Sequence, residues 1–72
     1  MTDKEAIKSL EELIDKIDDA DEDVADRAAD FFEDVRDSAE SMMETIERTG
    51  RVSEKQESAI QNWHDGVDKW FH

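Results

Sequence analysis

Apolar residues recur in the first twenty positions at Ala6, Ile7, Leu10, Leu13, Ile14, Ile17 and Ala20. Steps of three and four put them on one side of an α-helix, while Lys4, Lys8, Glu11, Glu12, Asp15 and Lys16 fall outside that stripe. Thr2 followed by Glu5 has the form of a capping box, which opens this first helix and predicts it over about 3–19. The acidic stretch from Asp18 to Asp23 contains neither Gly nor Pro, so two readings stand. It is a turn in which Asp21 caps the next helix, or it stays helical and makes residues 2–49 one rod whose stripe needs a partner. The turn is the favoured expectation.

The second predicted helix, about 23–49, carries Val24, Ala28, Phe31, Phe32, Val35, Ala39, Met42, Met43 and Ile46 at helical spacing. Gly50 suits the residue just past its end, and Ser53 with Gln56 makes a second capping box after the short connector Arg51-Val52. The third helix, about 54–71, presents Ala59, Ile60, Trp63, Val67, Trp70 and Phe71, with Gly66 as a local weak point. The expected fold is a single all-α domain over residues 1–72. It is a three-helix antiparallel bundle, or a helical hairpin plus a third helix that completes its core by dimerising, so a homodimer stays open. Leu10, Leu13, Ile17, Phe31, Val35, Ile60, Trp63 and Val67 are expected to be mostly buried in the core.

Charge changes this picture more than anything else. The 72 residues hold 22 acids against 9 bases, a formal charge of −13, and include no cysteine. Thiolate metal sites and disulfide staples are thereby excluded. No apolar run approaches the roughly 20 residues that span a bilayer, and Met-Thr-Asp-Lys-Glu lacks a signal-type apolar region, so a cytoplasmic location is expected. Residues 21–49 alone carry eleven acids and three bases, net −8.

On the second helix Asp23, Asp26, Asp30, Glu33, Asp37, Glu40, Glu44 and Glu47 follow alternating steps of 3 and 4, and therefore share one side. At about 1.5 Å per residue the row spans roughly 36 Å, one carboxylate per about 5 Å, against about 3.4 Å per phosphate along a DNA strand. Asp34 lies beside it and joins it as a candidate partner contact. An ordinary solvated face mixes signs. Here Asp26/Asp30, Asp30/Asp34, Glu33/Asp37 and Glu40/Glu44 are like-charge pairs at i,i+4, each costing a few tenths of a kcal/mol. Arg27, Arg36 and Arg48 offset only part of this. A plain solvated face and adaptation to high salt are the competing explanations. A single-sign row suits a basic nucleic-acid-binding protein as partner and opposes direct binding of nucleic acid.

The row from Asp23 to Glu47 on a small helical chain resembles the phage-encoded DNA mimics, among them anti-CRISPR and anti-restriction proteins. The resemblance is one of kind, without a diagnostic motif, and covers the middle third of the chain. It implies inhibition of a nuclease or surveillance complex by occupying its DNA-binding cleft, in the host cytoplasm. A fainter likeness, from Gly50 to Gln56 with Ala59, Ile60 and Trp63, is to a helix-opening segment of small phage proteins, some of them helicase-associated.

Other constellations carry less. His64, Asp68 and His72 recur every fourth residue and could offer two imidazoles and a carboxylate to a metal, although a terminal His72 would fray and could belong to a purification tag. A surface His64 beside Trp63 is the simpler expectation, and no metal or cofactor is assigned. Trp63 and Trp70 read as core, with an exposed aromatic hot spot as the alternative. Met42 and Met43 read as gap-fillers. With no Cys, no Tyr, no Gly-rich phosphate loop and no nucleophile beside an evident base, catalysis is not expected. The runner-up function is an oligomerising helical module. Ile7, Leu10, Ile14 and Ile17 fit coiled-coil a and d positions, but Ser38 and Thr45 spoil that register further on.

Overall fold

A computed structural model describes residues 1–71, so His72 lies outside it. Four α-helices follow one another: α1 (Asp3–Asp18), α2 (Glu22–Arg27), α3 (Ala29–Thr49) and α4 (Glu54–Asp68), with a closing 3-10 turn at Lys69–Phe71. Both capping boxes form. The Thr2 hydroxyl accepts from the Glu5 amide at 3.2 Å while the Glu5 carboxylate accepts from the Thr2 amide at 3.0 Å. The Thr2 N–H that donates to the Glu5 carboxylate, with the Thr2 side chain close by, holds that carboxyl below its ordinary pKa. Ser53 and Gln56 repeat the exchange at the start of α4. Gly50 ends α3 at φ 72°, a left-handed conformation that disfavours a side chain. Asp19 and Ala20 break the chain after α1, so the turn between the first two helical segments is observed, although Asp21 makes no side-chain cap.

The predicted helix over 23–49 is interrupted at Ala28, whose backbone (φ −107°, ψ 16°) separates α2 from α3. Ala28 still donates to Val24 at 2.9 Å and accepts from Phe32 at 2.8 Å. Among the described residues, no helical bond joins the amides of Ala29, Asp30 and Phe31 to the carbonyls of Ala25, Asp26 and Arg27. The interruption falls between Asp26 and Asp30, a like-charge pair that an unbroken helix would hold one turn apart. Ala28 itself is buried in the core. At the other end, helix stops at Asp68 and tightens into the 3-10 turn, where a single helix to Phe71 is expected from the sequence.

Cross-helix contacts fix the topology. Asp18 near the end of α1 pairs with Arg36 early in α3, so α1 and α3 run antiparallel. Met1 reaches Glu57, Ser9 reaches His64 and Lys16 reaches Asp68, so α1 and α4 run parallel, with α3 opposed to both. The Met1 amino group is held above its ordinary pKa by the Glu57 carboxylate that accepts its hydrogen bond. The result is a three-helix bundle of 37 × 18 × 16 Å, with α2 folded across one end.

The core is Ala6, Leu10, Leu13 and Ile17 from α1, Ala28, Phe32, Val35, Ala39 and Ile46 from the central segment, and Ile60 and Val67 from α4. Ile7, Ile14, Met42, Met43, Trp63 and Trp70 pack partly against it. One expected core residue therefore needs correction: Phe31 is 37% exposed, whereas Trp63 is partly buried against the core. Adjacent helical residues diverge by about 100°, so one Phe of the pair faces α1 and the other cannot. Phe32 shares the phase of Ala28, Val35, Ala39 and Ile46 and is the buried one.

Phe31 instead lies against Gly66 of α4, where an added Cβ would meet Phe31 Cζ at 2.8 Å. Gly66 thus makes room for the ring. Helix propensity favours Ala there by about 1 kcal/mol, while the methyl would displace a ring that is free to swing outward. Gly66→Ala should therefore change stability little in the parent, yet add about 1 kcal/mol in a Phe31→Ala background. A four-way cycle of denaturant melts measures that coupling, and equal effects in both backgrounds would refute the seat.

Candidate partner-binding face

Every acid from Asp21 to Glu47 is exposed, including Asp23, Asp26, Asp30, Glu33, Asp34, Asp37, Glu40, Glu44 and Glu47. The kink divides the row. Asp23 and Asp26 belong to α2, while Asp30, Glu33, Asp37, Glu40, Glu44 and Glu47 remain aligned on α3. The unbroken part covers about 26 Å at the usual helical rise, shorter than the roughly 36 Å of one continuous helix. Its alternating steps of 3 and 4 average 3.5 residues against 3.6 per turn, so the row drifts by about 20° per heptad around α3.

Basic side chains neutralise only part of it. Arg27 meets Asp23 at 3.5 Å, and Arg36 donates through Nε to Glu40 at 3.4 Å while its other nitrogen holds Asp18 of α1. Asp26, Asp30, Glu33, Asp34, Asp37, Glu44 and Glu47 make no ion pair among the described residues. Arg36 is therefore a structural clamp between α1 and α3. Its bond to Glu40 is an i,i+4 pair within α3, whereas its hold on Asp18 is a long-range contact. A shallow depression of about 420 Å³ adjoins the row, lined by Asp37, Ser38, Ser41, Met42, Thr45 and Gln56, so hydroxyls border the carboxylates on the α4 side.

His64 and Asp68 make contacts with α1 that their spacing does not suggest. His64 Nε2 lies 2.9 Å from both the carbonyl and the hydroxyl oxygen of Ser9. A carbonyl cannot donate, so Nε2 carries the proton and Nδ1 offers its lone pair to the Lys16 ammonium at 3.4 Å. Lys16 also donates to Asp68 at 3.0 Å. This tautomer turns no lone pair toward Ser9 Oγ, so the pair lacks the base that would activate a serine nucleophile. The four side chains clasp α1 to α4. The ammonium between His64 and Asp68 also works against a shared cation. Among the described residues, no group of three or more potential ligands is placed to hold a metal ion; His72, the remaining candidate, lies outside them.

Among the described residues no helix is long and apolar enough to cross a membrane. No family model, curated protein or solved structure matches the chain.

Proposed function

We propose that this chain is an acidic binding protein that inhibits or regulates a basic nucleic-acid-binding protein by standing in for the phosphate backbone. The observation that carries the reading is the exposed row on α3, where Asp30, Glu33, Asp37, Glu44 and Glu47 have no basic partner among the described residues. A folded domain gains nothing from such like-charge neighbours at i,i+4, whereas a partner built to grip phosphates with Lys and Arg finds its counter-charges already aligned. The partner class is a nuclease or surveillance complex with a basic cleft, the type of target that the resemblance to phage DNA mimics implies, and the setting is the host cytoplasm. No catalytic step and no cofactor enter this role.

The test is competition. The immobilised chain is offered purified basic DNA-binding proteins, and whatever binds is eluted either with duplex DNA or with sodium sulfate of matched ionic strength. Mimicry requires duplex DNA to displace the partner at concentrations where sulfate does not, because the two polyanions share one surface. If DNA forms a ternary complex on the captured protein, or no DNA-binding protein is retained, the proposal falls.

A further inference from the structure

The start of α3 and the end of α4 meet in a run of three phenylalanine rings. Phe31 and Phe32 lie 6.1 Å apart in a tilted arrangement, and Phe32 and Phe71 stack at 6.2 Å with 19° between their planes. The middle ring is buried. The outer two are not, at 37% for Phe31 and 42% for Phe71. Among the described residues, only Met1 is another large apolar side chain so exposed. The Phe31 ring lies against Gly66 of α4 on one side and is open to solvent on the other.

What covers such a ridge follows from its surroundings. Asp30 and Asp34, both exposed, neighbour Phe31 on α3. Phe71 forms one wall of a cleft of about 560 Å³ that it shares with Glu12, Asp15, Lys16, Asp19 and Asp68. Lys16, the single cation there, is already engaged by Asp68 and His64. An ordinary apolar partner would have to strip water from these carboxylates without pairing them. A second copy of this chain would bring its own net charge of −13 to the contact. A cation with a flat, weakly hydrated face meets both demands: it stacks on an aromatic ring while its N–H groups pair with the flanking carboxylates. Guanidinium has that shape, and ammonium, a compact and strongly hydrated charge, does not.

We infer that the Phe31–Phe32–Phe71 ridge docks arginine side chains of a protein partner, with Phe31 and Phe71 as the stacking surfaces. The inference rests on the polyanion reading for the class of partner, and adds that the partner presents arginine rather than lysine at this end of the bundle.

Octa-arginine and octa-lysine are the probes, equal in length and charge. The parent should bind octa-arginine more tightly, by about three- to fivefold per ring engaged, and the ring protons of Phe31 and Phe71 should shift in NMR spectra only with the arginine peptide. Phe31→Leu and Phe71→Leu keep apolar bulk and remove the aromatic face. Each should reduce the arginine preference while leaving octa-lysine affinity unchanged. Equal affinity of the parent for both peptides, Leu variants that keep the full preference, or unshifted ring protons would each overturn the inference. So would self-association of the parent that the Leu substitutions abolish.

Neutralising Glu33, Asp37, Glu44 and Glu47, which leaves Asp30 and Asp34 beside the ridge in place, separates this inference from the reading beneath it. If that variant loses both peptides while the parent never distinguished them, the ridge assignment falls and the polyanion reading stands. If it keeps both affinities and the arginine preference, the row is irrelevant and the ridge stands alone.

Discussion

Phe32→Ala and Leu13→Ala are each expected to cost about 2–5 kcal/mol, while Phe31→Ala costs about 1 kcal/mol or less. Leu13 is fully buried and Phe32 nearly so, at 4%, and truncation of either leaves a cavity between α1 and α3 that rigid helices close only partly. Phe31 keeps more than a third of its surface in water already, and its loss opens a notch on the surface over Gly66. A domain this small has a total stability on the order of 5 kcal/mol, so either core variant should be largely unfolded at ambient temperature. Far-UV circular dichroism against denaturant distinguishes the outcomes. A Phe31→Ala variant that unfolds beside a Phe32→Ala variant that melts like the parent would show that the helical phase of α3 has been misread.

The second large effect concerns binding. Replacing Asp30, Glu33, Asp37 and Glu44 by Asn or Gln removes four exposed charges, none of them ion-paired among the described residues. Glu40 is left in place, because its bond to Arg36 belongs to the clamp that also holds Asp18. Exposed ion pairs contribute up to about 1 kcal/mol each, so loss of four should weaken the complex by roughly thirty- to a few hundredfold at low salt. The dependence of affinity on salt should become shallower at the same time. Stability should rise by a few tenths of a kcal/mol for each like-charge pair removed, among them Asp30/Asp34 and Glu33/Asp37. A merely solvated face gives the stability gain with no change in affinity. Salt titrations of binding, run beside thermal melts of the same variant, tell the two apart.

Local chemistry was the part of this molecule readable in advance. Thr2 with Glu5, Ser53 with Gln56, and Gly50 each act within one turn of helix, and each bounds its helix where the sequence places it. The all-α bundle follows from three stripes between those signals. The kink at Ala28 had no such marker: neither proline nor glycine stands there, and alanine is the residue least expected to interrupt a helix. The Phe31/Phe32 pair was readable in principle, since only Phe32 keeps the phase set by Ala28, Val35, Ala39 and Ile46. Treating Gly66 as a weak point hid its use as a seat for the other ring.

Exposure of the acids was legible for the same periodic reason. So was the Arg36–Glu40 pair, at i,i+4 spacing, but the hold of Arg36 on Asp18, eighteen positions earlier, was not. The clasp of Ser9, Lys16, His64 and Asp68 was equally hidden. It joins residues about fifty positions apart and exists only because α1 and α4 run parallel.

That parallel pairing has one more consequence. With three long helices, residue 1 and residue 71 lie at opposite poles of a rod 37 Å long. A circular permutant would need a bridging linker of at least about ten extended residues to run back along the outside of the bundle. Tandem copies joined end to end need only a short joint and would continue the rod, repeating the acidic flank once per unit as a ladder of evenly spaced polyanionic rungs. A multivalent ligand for a repetitive basic filament could be made from this chain by simple concatenation.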